Sequence, residues 1–153
     1  MTTTSATDRI EREIILRAPR ARVWQALTDS RQFGEWFGIR TASPFAAGKT
    51  VHAQVTIKGY EHVPFSIDIV AIEPEQLFSW RWHPHAIEAG RDYSNEPTTL
   101  VEFHVDDVPG GTRVRVVESG FDQVPPARRL DAFRGNSEGW RVQMENIARY
   151  VER

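Results

Sequence analysis

No cysteine occurs anywhere in the 153 residues. That absence excludes disulfides, thiolate nucleophiles and cysteine-bound zinc or iron–sulphur clusters, and it fits the expectation of a cytoplasmic protein. Long apolar runs are missing too: no segment approaches the roughly 20 residues that span a bilayer, and Met1 to Asp8 is polar and Thr/Ser-rich, without the apolar centre of a signal peptide. Charge of one sign is scarce. Lys and Arg number 19 against 21 Asp and Glu, a formal net charge of −2, so neither nucleic acid nor an anionic membrane surface is an expected partner. There is no glycine-rich phosphate loop, since Gly110-Gly111 reads as a hairpin turn, and there are no internal repeats. What remains, at 40% hydrophobic and 26% charged residues, is ordinary globular composition for one domain over residues 9–153, preceded by a disordered tail over 1–8.

The strongest periodic signal closes the chain. At about 100° per residue, Trp140, Met144, Ile147 and Val151 fall within roughly 60° of one another, one narrow stripe for burial. Arg141, Glu145, Arg149 and Glu152 lie off it. With Asn136 or Ser137 as N-cap, this helix should run about 24 Å, enough to cross a sheet. A shorter helical run from Ala127 to Phe133 precedes it, with Gly135 as the expected break.

The rest of the chain alternates. Ile10 to Leu16 reads as a first strand. Pro19 to Thr28 and Arg31 to Phe37 read as helices, the second stopped by Gly38. Strand patterns follow: Val51, Ala53, Val55 and Ile57; then Phe65, Ile67, Ile69 and Ala71, with Val70 and Ile72 on the other face; then Leu77 to Trp82, Thr98 to Val105 and Thr112 to Ser119. The last two form a hairpin through Pro109-Gly110-Gly111. Short links favour an antiparallel meander, and one long helix covers one face of it, so the fold class is α+β in the order β-α-α-β5-α. His83 to Pro97 is a connection longer than a usual hairpin loop, the kind that often carries function.

Several stretches together carry a resemblance. Ala18-Pro19-x-x-x-Val23-Trp24-x-Ala26-Leu27-Thr28-Asp29 and Trp36-Phe37-Gly38 resemble the START-like, or Bet v 1-like, helix-grip superfamily. Glu73-Pro74-x-x-Leu77-x-x-Trp80, Gly111-Thr112-Arg113-Val114, Glu118-Ser119-Gly120-Phe121 and Gly139-Trp140-x-x-Gln143 look like its branch named for the C-terminal domain of the activator of Hsp90 ATPase. The resemblance runs from about Arg9 to Val151. It implies a curved antiparallel sheet gripping the C-terminal helix, with a cavity between them for lipids, polyketides or other apolar molecules. Activation of Hsp90 is not expected, because the co-chaperone's further N-terminal domain has no counterpart among these residues.

On that frame the expected cavity walls are Trp36, Trp80, Trp82, Phe121, Trp140 and Met144, with the facing of Trp80 and Trp82 left open. Phe33 and Phe37 are weaker cases, and Trp24 reads as core. Glu118 shares a strand face with Val114 and Val116, so it either projects into the cavity or ends the strand in solvent. Gln143 borders the Trp140 stripe and offers an amide. His52, His62, His83, His85 and His104 form no metal motif; His83-Pro84-His85 lacks the spacing of a ligand set. His52 and His104 are expected on the solvent face, and His83 beside the pocket mouth. Arg128, Arg129 and Arg134 read as a solvated face. The leading expectation is a cofactor-free, non-enzymatic binder of an apolar, aromatic or lipid-like molecule. The alternatives are a cyclase or hydrolase in which Glu118, with His83, moves protons, and an interaction module akin to the Hsp90 co-chaperone domain. A homodimer through an exposed strand or the long loop is a further expectation.

Overall fold

The polar residues that open the chain soon give way to hydrogen-bonded backbone. The structure, a computed structural model, describes residues 5–153; of the tail expected over 1–8, residues 1–4 lie outside the described residues. Asp8 is already fixed: its carbonyl accepts from the backbone N–H of Gly120 and Phe121 at 3.1 and 3.0 Å, and its carboxylate accepts from Asp122 N–H at 3.0 Å.

Strand β1 (Arg9–Leu16) leads to helices α1 (Arg20–Thr28) and α2 (Ser30–Phe37). Strands β2 (Ile39–Arg40), β3 (Thr50–Val55), β4 (Pro64–Glu73), β5 (Leu77–Trp82), β6 (Thr99–Val108) and β7 (Gly111–Ser119) follow. A 3₁₀ turn (Phe121–Gln123) then precedes helix α3 (Pro126–Val151). All seven strands form one sheet in the order β1-β7-β6-β5-β4-β3-β2, and every pairing is antiparallel. The first strand thus joins the last, while α1 and α2 carry the chain to the opposite edge. Helix α3 packs on β1, α1 and α2, completing the expected α+β architecture of a sheet around a long C-terminal helix.

Local chemistry explains the element ends. Asp29 caps α2, its Oδ1 accepting from Arg31 and Gln32 N–H at 3.1 and 3.0 Å, which satisfies two orphan donors of the first turn. Gly38 ends the helix in the left-handed region at φ 99°, and a Cβ there would also strike Ile57 Cγ1 at 2.6 Å. Only glycine suits both conditions.

Four expectations need correction. Five strands were expected after the helices and there are six, because the two-residue β2 is too short to show a period. Ile72 was expected on the polar face of β4, but a register shift between Ile69 and Ala71 flips the alternation. Val70 is left exposed and Ile72 turns to the core. Gly135 does not break the closing helix: α3 is continuous over 26 residues, about 39 Å at 1.5 Å per residue. Asn136 and Ser137 are consequently interior residues of α3 rather than N-caps. The buried stripe extends backwards through Asn136, Ala132 and Arg128 at intervals of four, which tertiary packing can sustain against the ~1 kcal/mol cost of a helical glycine.

Candidate functional site

Glu118 follows Thr112, Val114 and Val116 along one face of β7, and all four are fully buried. A carboxylate at such a position needs donors, and four side chains supply them. Trp82 Nε1 on β5 donates to Oε2 at 2.7 Å, and Thr99 Oγ1 on β6 to the same oxygen at 2.6 Å. From α3, Trp140 Nε1 donates to Oε1 at 2.8 Å, and Asn136 Nδ2 reaches Oε1 and Oε2 at 3.0 and 3.2 Å. One anion therefore ties three strands to the closing helix. Among the described residues it has no ion-pair partner. Burial pushes its carboxyl above the ordinary 4.5, opposed by the hydrogen bonds from Thr99, Trp82, Trp140 and Asn136. The donor set suits the ionised form: indole N–H and amide NH₂ groups cannot accept a carboxyl proton, which leaves only the Thr99 hydroxyl oxygen to do so.

In front of this knot lies an aromatic wall. The Trp82 and Trp140 rings stack at a centroid distance of 5.8 Å, Phe37 stands 6.3 and 6.1 Å from them, and Phe65 lies 6.0 Å from Trp82. Two concavities open on the wall. The larger, about 220 Å³, lies between the β3–β4 hairpin, the loop after β5 and α3. The smaller, about 100 Å³, lies against α3. Phe37, Trp82 and Asn136 line both, so they form one stepped groove. Ile57, Tyr60 and Ile87 edge it, each between 39% and 49% exposed, leaving an apolar rim in water. No lysine, arginine, aspartate or glutamate lines either part.

The long loop, residues 83–98, is held by α3. Arg128 was expected on a solvated face, but it is buried. Its Nε donates to Glu96 Oε1 at 2.6 Å, its Nη1 to the Pro84 carbonyl at 2.7 Å, and its guanidinium lies 4.7 Å over the Tyr93 ring. Arg134 is exposed, and Arg129 Nε donates to the Val124 carbonyl at 3.0 Å. His83 bonds the Glu96 carbonyl through Nε2 at 2.9 Å; a carbonyl only accepts, so Nε2 carries the proton and Nδ1 is the acceptor of the neutral ring. His85 adopts a left-handed backbone at φ 54° and seats its ring on Gly135, where a Cβ would come within 2.6 Å of the imidazole. Burial and the Arg128 charge lower its pKa, with Asp131 opposing. Glycine at 135 is thus a seat for His85 and not a helix stop.

Of the residues expected as cavity walls, Trp82 and Trp140 line the groove, and Gln143 lines its smaller part while donating to the Phe37 carbonyl at 2.8 Å. Trp36, Trp80, Phe121 and Met144 are packed into the core. Trp36 donates to the Ala26 carbonyl at 2.7 Å, and the Trp80 ring lies 5.4 Å from both Phe78 and Phe103. Glu118 lies behind the wall rather than in the cavity, with both oxygens occupied. His83 lines the mouth, and His52 is exposed while His104 is partly so. Sequence reasoning missed Asn136, Phe65 and Thr99. Asn136 stands four residues before Trp140 on the same stripe, and that spacing was the available signal. Among the described residues no group of three or more His, Asp or Glu is placed to hold a metal ion, and no helix is long and apolar enough to cross a membrane.

A curved antiparallel sheet gripping a C-terminal helix, with a groove at their junction, defines a helix-grip protein. Residues 17–152 match the family model described as activator of Hsp90 ATPase homolog 1-like protein, and the chain belongs to that family. Solved structures agree on the fold. Protein MLL2253 from Mesorhizobium loti is 22% identical with a TM-score of 0.74, the match covering 94% of this chain and 96% of that one. Protein CV1439 from Chromobacterium violaceum is 18% identical with a TM-score of 0.71, covering 95% and 98%. The solution structure of the Aha1 dimer from Colwellia psychrerythraea is 17% identical with a TM-score of 0.70, covering 94% and 96%. A search of curated protein sequences finds no match.

Proposed function

We propose that the protein binds a small, largely apolar molecule in the stepped groove beside Trp82 and Trp140. The observation that carries this reading is the uncharged aromatic groove itself, about 220 Å³ with a recess of about 100 Å³, rimmed by apolar side chains that folding leaves in water. Concave, mostly apolar sites with a few polar groups are where small ligands bind, and the larger part falls short of the roughly 300 Å³ at which drug-sized pockets begin. A compact ligand, or one end of a longer one, fits it. Trp82, Trp140, Phe37 and Phe65 form the walls, and Asn136, His83 and Gln143 offer the polar contacts.

The reading favours binding over catalysis at Glu118. A general acid or base must come within hydrogen-bond reach of its substrate, and this carboxylate is sealed behind two indoles. The dimer formed by the Colwellia protein supports a homodimer as a second proposal, testable by light scattering.

Native mass spectrometry of freshly purified protein, followed by organic extraction, is the direct test. A co-purifying compound, or a rise in melting temperature with members of an aromatic and lipid library, is the expected result. Val63→Trp, which fills the larger part of the groove, should abolish it. An empty protein that no compound stabilises would overturn the reading and favour an interaction module acting through an outer face.

A further inference from the structure

We propose that the ligand of this groove carries an alkylated, positively charged nitrogen, a quaternary or tertiary ammonium head on an apolar body. This rests on the reading of the groove as a binding site and specifies what it takes.

Three observations converge. The groove has no lysine or arginine on its lining, so an anionic head such as a carboxylate or phosphate would lose its water and meet no fixed positive charge, only neutral hydroxyl, amide and imidazole groups. The wall is aromatic: Phe37 and Trp82 line both parts of the groove and Trp140 the smaller one, and the negative faces of such π-systems attract cations, tryptophan most strongly. Directly behind the wall, one side chain deep, sits the Glu118 carboxylate. Both tryptophans that line the groove point their N–H groups away from it and into this anion, at 2.7 and 2.8 Å. Asn136, which lines both parts, does the same at 3.0 Å.

This arrangement polarises the wall. Hydrogen bonds to a carboxylate draw the positive end of each indole dipole inward, which leaves the ring faces towards the groove more electron-rich. The buried negative charge has no protein cation beside it among the described residues, so a cation in the groove supplies the missing counter-charge across a medium that screens weakly. Primary ammonium groups need three acceptors to replace their water. Acceptors here are scattered around the lining and not gathered at one point: Asn136 has committed its amide hydrogens and offers Oδ1, Gln143 Oε1 already accepts from Asn146 at 3.0 Å, and Ser66, Tyr60 and His83 stand on the larger part alone. An alkylated nitrogen needs none, because its charge is spread over its carbon substituents. The apolar rim of Ile57, Tyr60 and Ile87 then receives the body of the molecule.

A matched pair of probes tests this: 3-phenylpropyl-trimethylammonium and its neutral isostere, in which a carbon replaces the nitrogen, followed by tryptophan fluorescence. A carboxylate analogue is the third probe. The cation should bind at least about tenfold more tightly than the isostere, and the carboxylate should not bind. In Glu118→Gln the preference for the cation, read as the ratio of the two affinities so that any shift of the wall cancels, should fall to about twofold or less. If that variant does not fold, the wild-type comparison decides. Isostere binding within about twofold of the cation overturns the inference while leaving the groove a binding site, whereas no binding by any probe overturns both.

Discussion

Glu118 accepts from Trp82, Thr99, Asn136 and Trp140 together, and nothing isosteric replaces it. Glutamine has the same shape, but its NH₂ must face at least one donor that formerly met an oxygen. Each buried donor so orphaned costs about 1–3 kcal/mol, so Glu118→Gln should be destabilised by that order despite losing a buried charge. The pH dependence is separable from this loss. The folded protein holds the Glu118 proton more tightly than the unfolded chain, whose pKa is the ordinary 4.5. The native state therefore binds the extra proton between the two pKa values, and stability declines as pH rises from 4.5 through the folded value. Urea midpoints from acid to neutral pH should show this decline in the parent and not in Glu118→Gln; an unchanged difference between the two proteins across the range would refute the assignment.

At the level of elements, most boundaries were readable because their physics is local. Alternation placed β1 and β3, Gly38 marked the end of α2, and the Trp140 stripe located the buried face of α3. What escaped depends on partners far along the chain. Gly135 looked like a stop because helical propensity is all that sequence offers there, whereas its role comes from His85, fifty positions earlier. Glu118 shares a strand face with Val114 and Val116, which left either the interior or solvent open for it. Its burial depends on Trp82, Thr99 and Asn136, which come from three separate elements, and Asn136 in sequence reads as one of two candidate caps. Gly135→Ala tests the seat. The methyl gains up to ~1 kcal/mol of helix propensity but evicts the imidazole, so global stability should change little. Hydrogen exchange across residues 83–98 should instead accelerate, because the loop loses an anchor; unchanged exchange would show that His85 is not one.

On the scale of the whole molecule, closure is long-range. β1 pairs with β7 from Arg9↔Ser119 to Leu16↔Thr112, so the first and last strands meet only when the intervening meander is in place. The resemblance in the sequence captured this architecture, and the family match over residues 17–152 agrees with it. It did not capture which aromatics form wall and which form core, since packing α2 and α3 against the sheet decides that. The same packing brings Trp80, Trp82 and Trp140 together, with ring centroids 5.5, 5.8 and 6.3 Å apart. Three chromophores so close share their electronic excitations. The folded protein should accordingly show an exciton couplet in its circular dichroism spectrum that Trp82→Phe weakens most, because it removes the crossed Trp80–Trp82 pair at 5.5 Å, and that Trp140→Phe reshapes without abolishing. Because two of the three rings face the groove, a guest arriving there would alter the couplet without any label having been attached.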